Sequence, residues 1–224
     1  MRAHQIMTRQ VITASVDTTV AEAARTLLQH HISGMPVLDA GGKLVGVRHQ
    51  VHDEPDAEWL LRADVQRGLG AVGDARLAYD LLVRARELPA ALETLRRFPD
   101  TRFVIDHLAK PAVRNGDWED WKAAMAPFGR ESNVYCKLSG LVTEADWSVW
   151  RPEQLAPYIG AALDWFGPER CMFGSDWPVC LLAASYRQVF DALLEALTGV
   201  DAAAHARVMG GTAVEFYRLQ VEDF

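Results

Sequence analysis

The chain has 224 residues, half of them hydrophobic and 24% charged, which is ordinary for a soluble globular protein of one large domain or two small ones. Its formal net charge is −7 and it has no cluster of Lys and Arg, so nucleic acid is not an expected partner. No apolar run has the length of a membrane span, the first residues do not resemble a signal peptide, and the three cysteines show no metal-type spacing. We therefore expect reduced thiols, a cytoplasmic location and no membrane partner.

Residues 1–47 predict a β-α-β-β pattern. Apolar residues recur at helical spacing over 20–28, and Thr19 and Glu22 have the separation of a capping box at the start of that helix. A short strand is expected near 11–13. Strands are also expected over 35–38 and 43–47, and the turn between them predicts that these two form a hairpin.

From residue 48 onward, strands and helices alternate, which is typical of parallel βα units. Strands are predicted over 79–83, 102–107, 133–139 and 171–178. Helices are predicted around 88–95, 118–125, 155–166 and 186–197, with Gly167-Pro168 ending the third. Their apolar stripes favour packing against a core rather than binding a cofactor.

Two of these predicted strands end in reactive side chains, His107 and Asp176. The carboxyl ends of parallel barrel strands converge on one face, where an imidazole and a carboxylate can bind a metal ion or polarise a water molecule. The alternative is that His107 is a hydrogen-bonded strand-end histidine and Asp176 caps the following helix. The pattern alone leaves both interpretations open.

Residues 1–47 resemble the first part of a cystathionine-β-synthase (CBS) domain. The resemblance is carried by residues 6–8, 16–24, 31–37 and 42–46. CBS domains work in pairs that bind adenine nucleotides, and in that family the strand ending near Gly46 continues into a Ser/Thr-x-x-Asp signature. Here the chain reads Val47-Arg48-His49-Gln50-Val51-His52. The resemblance therefore implies a fold fragment without a working nucleotide site.

The rest of the chain, from about Lys43 to Leu219, resembles amidohydrolase family 2, in the branch that contains L-fuconolactonase-like enzymes. Several motifs in the family's order carry this resemblance: residues 45–56, 79–84, 103–111 (including Ile105-Asp106-His107), 133–141 and 172–178 (including Gly174-Ser175-Asp176-Trp177-Pro178). The family is a (β/α)8 TIM barrel of lactone- and amide-type hydrolases. The resemblance implies that the strands of this chain are barrel strands four to eight.

The same resemblance assigns roles to individual residues. It places His107 and Asp176 in the active centre, with Asp176 activating the hydrolytic water. Substrate contacts are implied for four residues near the strand ends: Arg48, His49, Lys137 and Trp177. For Arg48 a surface ion pair remains an open alternative, and for Lys137 a strand-end side chain whose stem covers apolar surface.

The sequence departs from the family at its start, where a first strand carrying His-x-His is expected. Residues 3–6 read Ala-His-Gln-Ile, and His30 and His31 are adjacent, so their side chains diverge. His107 and Asp176 then form an incomplete metal site. We expect weak or absent binding of a zinc-like divalent ion and no other cofactor.

The two resemblances meet at residues 43–47, so we interpret the chain as a chimera of a CBS-like fragment (1–47) and a partial amidohydrolase barrel (48–224). The expected fold is α/β, a partial TIM barrel completed or capped by the CBS-like β-α-β-β segment. The expected activity is hydrolysis of a small-molecule sugar lactone or similar cyclic ester or amide, impaired by the missing His-x-His. A scaffold without efficient catalysis and an adenine-nucleotide-binding module are the alternatives. Open sheet edges predict a homodimer or larger homo-oligomer.

Overall fold

A computed structural model describes residues 44–219 continuously, together with 14–15, 29 and 37–38. The chain divides into two compact units, one of residues 1–45 with 219–224 and one of residues 46–218. In the first unit, β1 (Ala14–Ser15) pairs in parallel with β2 (Val37–Leu38). The strand predicted near 11–13 and the helix predicted over 20–28 lie outside the described residues.

The hairpin predicted between residues 35–38 and 43–47 is wrong. Strand β2 pairs with β1, whereas the second predicted strand is shifted to β3 (Gly46–Gln50), which pairs in parallel with β4 (Ala78–Leu82). The sequence of residues 39–42 favoured a tight turn, but β3 is the first strand of the larger sheet. Each of the two strands is paired with a strand from elsewhere in the chain and not with the other.

The larger sheet has five parallel strands in chain order, from β3 and β4 through β5 (Arg102–Ile105) and β6 (Val134–Leu138) to β7 (Cys171–Phe173). All four pairings are parallel, so the carboxyl ends of the strands share one edge. This confirms the α/β class and the parallel βα units. Both β5 and β7 are shorter than predicted.

Eight helices lie in the described part of the chain: α1 (Ala63–Asp74), α2 (Leu88–Arg97), α3 (Trp118–Met125), α4 (Leu141–Glu144), α5 (Pro152–Phe166), α6 (Tyr186–Ala196), α7 (Ala202–Ala206) and α8 (Thr212–Tyr217). The four predicted helices are confirmed as α2, α3, α5 and α6, and α5 ends at Gly167 as expected. No helix of the described residues is both long enough and apolar enough to cross a bilayer.

The sheet has two different faces because alternate strand residues point to opposite sides. Tyr79, Leu81 and Phe103 belong to the main core, which the flanking helices complete. On the other face, Ala78, Val104 and Met172 pack against Phe216 of α8, and we call this the α8 face. Burying a side chain of this size stabilises the fold by about 1.5–3 kcal/mol. These contacts fix the strands whose carboxyl ends carry the polar residues described next.

The three cysteines, Cys136, Cys171 and Cys180, are buried and free, as expected for reduced thiols. Burial raises the pKa of the Cys171 thiol to about 12. A thiol held in this protonated form is a poor nucleophile. The cysteines are therefore packing residues.

Candidate active site

His107 and Asp176 come together at the carboxyl edge of the sheet, as the sequence predicted. His107 Nε2 lies 3.5 Å from Asp176 Oδ1, and both side chains are nearly buried, with exposed fractions of 10% and 12%. On the other side of the ring, His107 Nδ1 lies 2.7 Å from the Ser139 hydroxyl oxygen. The imidazole is therefore held between a hydroxyl and a carboxylate, and the three groups come from the segments that follow β5, β6 and β7.

Neither His107 nor Asp176 lies within a strand. Strand β5 ends at Ile105, and His107 opens a run of four non-glycine residues, 107–110, whose φ angles lie between 51° and 57°. Asp176 also has a positive φ, of 55°. A left-handed conformation costs a non-glycine residue roughly 1–2 kcal/mol. Such strain persists where the surrounding structure demands it, and it concentrates at functional sites.

Hydrogen bonds hold this left-handed turn. The amide of Lys110 donates to the His107 carbonyl over 2.7 Å, and the indole nitrogen of Trp121 donates to the Leu108 carbonyl over 2.7 Å. Trp121 is itself buried in the main core. The backbone that presents His107 is therefore anchored to the rigid part of the fold.

Gly140 makes the approach of the His107 ring possible. Its φ is +67°, and a Cβ atom placed there would lie 2.7–2.8 Å from three atoms of His107. Glycine alone satisfies both the backbone conformation and the close contact. The adjacent Ser139 supplies the hydroxyl, so two consecutive residues after β6 define the position of the imidazole.

A buried network of charges lies beside this pair, on the α8 face of the sheet. Lys137 Nζ lies 2.5 Å from Asp80 Oδ2 and 2.8 Å from Asp106 Oδ1, although its approach to Asp106 lacks the angle of a hydrogen bond. Arg48 Nη1 lies 3.3 Å from Asp106 Oδ2, and the Asp106 side chain is fully buried. The hydroxyl of Tyr217, from α8, donates to both carboxylate oxygens of Asp80 over 2.9 and 2.8 Å.

The electrostatics of the site follow from burial and these partners. Burial lowers the pKa of His107, against the attraction of Asp106 and Asp176, so the imidazole is neutral at pH 7. Burial also raises the pKa of Asp176, against the opposing charges of Lys110 and of His107 when that ring is protonated. Burial alone would lower the pKa of Lys137, but Asp106 and Asp80 outweigh it and the pKa is raised. Lys137 is therefore a permanent cation.

Asp106 stays ionised because opposite charges outweigh the effect of burial, as they do for Lys137. Burial acts to raise its pKa, but the charge of Lys137, of His107 when it is protonated, and of Arg48 together lower it. A carboxylate at 0% exposure requires such partners, because an isolated buried charge costs several kcal/mol. The ion pairs thus form a charged network beside His107.

The four residues expected to bind substrate occupy different surroundings. Arg48 and Lys137 join the charged network, and the Arg48 side chain remains 46% exposed. His49 instead contacts Glu54 Oε1 over 2.7 Å and stacks on the Trp59 ring with centroids 4.4 Å apart. Trp177 follows Asp176, is partly buried against the main core and has a cis peptide bond to Pro178.

Sequence reasoning assigned no role to Asp80, Asp106, Ser139, Gly140 or Tyr217. The sequence pattern could have indicated Asp80, because it is a charged residue inside an apolar strand. It could also have indicated Ser139 and Gly140, because they directly follow a strand. No local signal marks Tyr217. It reaches Asp80 across 137 residues of sequence, through the packing of α8.

The described residues do not fit a complete catalytic metal site. His107 and Asp176 offer two donors, whereas catalytic zinc takes three protein ligands. Within residues 44–219 and the short described segments before them, no group of three or more His, Cys, Asp or Glu side chains is placed to hold a metal ion. We therefore derive no chemical step through a metal.

The chain is an α/β protein in which polar residues with strained backbones lie together at the carboxyl ends of parallel strands. The amidohydrolase family model matches residues 4–219, and the chain belongs to the amidohydrolase family. The match includes most of the stretch that resembles a CBS domain.

Similar proteins agree with this family. The chain is 42% identical over 191 residues to an L-fucono-1,5-lactonase of Burkholderia multivorans, covering 80% of this chain and 64% of that protein. It is 40% identical over 185 residues to an L-fucono-1,5-lactonase of Burkholderia ambifaria, covering 79% and 62%. The chain thus spans less than two thirds of the length of these curated relatives.

Solved structures extend the likeness to the fold. Two crystal forms of an amidohydrolase from Burkholderia multivorans, one with bound HEPES and one with bound zinc, superpose with TM-scores of 0.78 and 0.79. Both are 34% identical to this chain and cover 93% of it and 83% of the solved chain. The zinc in the second belongs to that protein.

Proposed function

We propose that the chain is a hydrolase that opens a sugar lactone of the L-fucono-1,5-lactone type. The single observation that carries the proposal is the buried pair of His107 and Asp176, with Ser139 behind the histidine, at the carboxyl edge of the sheet. The L-fucono-1,5-lactonases of two Burkholderia species, each at least 40% identical, support the substrate class.

Asp176 is the base in this reaction. Its ionised carboxylate takes a proton from water, and the water oxygen bonds to the lactone carbonyl carbon. The bond between that carbon and the ring oxygen then breaks, and the proton passes from Asp176 to the ring oxygen to give a hydroxy acid. A base with a raised pKa is well matched to this task, since it returns the proton readily.

His107 polarises the carbonyl as a neutral hydrogen-bond donor. This role requires the tautomer with the proton on Nε2, which is favoured when the Ser139 hydroxyl donates to Nδ1 over 2.7 Å. The lowered pKa of His107 supports the neutral form. Donors fixed before the reaction stabilise the developing oxyanion without reorganisation, typically by about 3–4 kcal/mol each.

The substrate hydroxyls are bound by the remaining polar groups. Arg48 is half exposed, and its bond to Asp106 uses Nη1 alone among the described residues. Lys137 sits deeper and fixes the carboxylates of Asp80 and Asp106. The other two residues proposed to bind the substrate are His49, which stacks on the Trp59 ring, and Trp177.

Hydrolysis of L-fucono-1,5-lactone, followed by acid release, tests the proposal. Asp176→Asn keeps the size and removes the base, so we expect a loss of about 10²–10⁴-fold in kcat. The matched control is Asp164→Asn, the same change on the exposed side of α5, which should keep the full rate. Equal rates for Asp176→Asn and the unmodified chain would remove Asp176 from the mechanism.

We also propose that strands β3 to β7 are strands four to eight of a partial TIM barrel, with residues 1–47 as a CBS-like fragment that completes or caps it. The strand order and the superposition on a Burkholderia amidohydrolase support the barrel part. With two donors among the described residues, binding of a zinc-like ion should be weak and hydrolysis impaired. Titration with Zn²⁺ measures that affinity, and nanomolar binding would contradict it.

The alternatives have their own tests. If residues 1–47 bind adenine nucleotide, calorimetry with AMP or ATP gives heat, and no heat at millimolar ligand ends that idea. If the chain is a scaffold without efficient catalysis, its lactonase rate equals that of buffer, and a rate that depends on His107 rejects it.

The proposed assembly is a cytoplasmic homodimer or larger homo-oligomer. Within the described sheet, β3 and β7 each have a strand on one side only, and such edges favour association. Light scattering at micromolar concentration measures the mass. A monomer of 24.9 kDa that persists on concentration would contradict the proposal.

A further inference from the structure

A second polar concavity lies at the opposite edge of the sheet from His107. It is an open groove of about 290 Å³ beside the amino ends of β4 and β5. Seven residues line it: Gly73, Arg76, Leu77, Asp100, Thr101, Arg102 and Arg218. We call it the arginine groove. Three of these residues are arginines and one is acidic, so the lining is strongly positive in a chain whose net charge is −7.

The three arginines come from three separate elements. Arg76 follows α1, Arg102 begins β5 and Arg218 ends α8. Arg76 and Arg218 both have left-handed backbones, with φ of 56° and 55°. Convergence of like charges from distant parts of the chain is unfavourable by itself, so an anion between them would relieve a cost that the fold now carries.

Arg102 is the anchor of the groove. Its Nη2 donates to the Arg76 carbonyl over 2.7 Å, and its guanidinium carbon lies 5.7 Å from the centroid of the Phe216 ring. Its Nη1 is enclosed and has no hydrogen-bond partner among the described residues. Burial lowers the pKa of Arg102, and the charge of Arg218 lowers it further. One hydrogen bond therefore ties the guanidinium to the Arg76 turn, and a second nitrogen has no partner among the described residues.

The turn that presents Arg76 is closely packed. The amide of Arg76 donates to the Gly73 carbonyl over 2.8 Å. A Cβ atom on Gly73 would lie 2.5 Å from Thr101 Oγ1, so glycine allows the two walls of the groove to meet. The groove is thus built from packed backbone as well as from side chains.

We propose that the arginine groove binds a phosphate group, presented either by inorganic phosphate or by a phosphate monoester. A guanidinium group can bind two phosphate oxygens at once through its planar set of N–H groups. Three guanidinium groups match a doubly charged phosphate better than they match a singly charged carboxylate. The site is separate from the lactone site, so it provides a place for an anionic metabolite to bind without entering the catalytic centre.

Calorimetry on the full chain at constant ionic strength tests the proposal. Inorganic phosphate and glycerol phosphate are titrated in parallel, with acetate and chloride as comparison anions. We expect phosphate to bind with a millimolar or lower dissociation constant, and acetate and chloride to give no saturable heat. Tighter binding of glycerol phosphate identifies a phosphorylated metabolite as the ligand, and tighter binding of inorganic phosphate identifies the free ion. Both outcomes support the site.

Variants locate the binding. Arg76→Gln and Arg218→Gln remove exposed arginines of the groove, and each should weaken phosphate binding by about tenfold or more, the effect of one charged hydrogen bond. Arg187→Gln removes an exposed arginine on α6, outside the groove, and should change it less than about twofold. Absence of phosphate heat at millimolar concentration, or equal weakening by all three variants, would overturn the proposal, whether or not the chain hydrolyses lactones.

Discussion

Replacing Gly140 with alanine tests how closely the backbone after β6 controls His107. The new Cβ would lie 2.7 Å from His107 Cγ, so the ring must retreat by about 0.7 Å to restore ordinary contact. The imidazole would then lose its alignment between Ser139 and Asp176.

The size of the effect follows from two costs. Alanine at a φ of +67° costs roughly 1–2 kcal/mol, and pushing His107 off its preferred rotamer adds about 0.5–1.5 kcal/mol. The total of about 1.5–3.5 kcal/mol corresponds to a fall in melting temperature of about 3–14 °C for a chain of this size. Displacement of a catalytic group by about 1 Å lowers activity by about 10²-fold, so we expect a loss of at least about tenfold.

Gly116→Ala is the matched control. Gly116 has a similar φ of +73°, but nothing lies within 4 Å of the position of its Cβ. It should therefore show the backbone cost alone and keep its lactonase rate. Thermal unfolding and steady-state hydrolysis are measured for both variants. Equal rates and equal melting temperatures would refute the conclusion that Gly140 positions His107.

Three further predictions concern the charged network and the base. Lys137→Met leaves Asp80 and Asp106 without their shared cation, and should lower the free energy of unfolding at pH 7 by about 3–5 kcal/mol. Urea titration should show a smaller loss of this free energy at pH 5, because the carboxylates of the variant take up protons there. Tyr217→Phe removes the hydroxyl that donates to Asp80 and should cost about 1 kcal/mol in the same assay, and no change would mean that the bond contributes nothing. Because Asp176 must be ionised to act as the base and burial raises its pKa, kcat should fall as the pH drops through a midpoint above the usual pKa of an aspartate. An acid limb at or below that usual value would contradict this.

The sequence predicted the repeating part of the fold well. Helices α2, α3, α5 and α6 carry clear apolar stripes, and the strands between them are short apolar runs, so local pattern and tertiary structure agree. Helix α1 was not predicted. It contains three glycines, at 68, 70 and 73, which obscure a helical pattern.

The candidate site was predictable only in part. His107 and Asp176 follow apolar runs, and a position at a strand end is visible in sequence. Their left-handed backbones were not foreseen, because residues 107–110 include no glycine or asparagine to signal that conformation. Likewise, the bond between Tyr217 and Asp80 depends on how α8 packs across the sheet, which no local pattern reports.

In the proposed reaction, His107 and Asp176 act together on one lactone. Its most direct test is the kcat of L-fucono-1,5-lactone hydrolysis for His107→Gln, Asp176→Asn and the double variant, each corrected for the uncatalysed rate. Residues that act as a unit show strongly non-additive losses. The expected result is that each single variant loses about 10²-fold or more and that the double variant is little slower than the worse single one. Rates equal to the unmodified chain, or a double variant slower by the product of the two single losses, would contradict it.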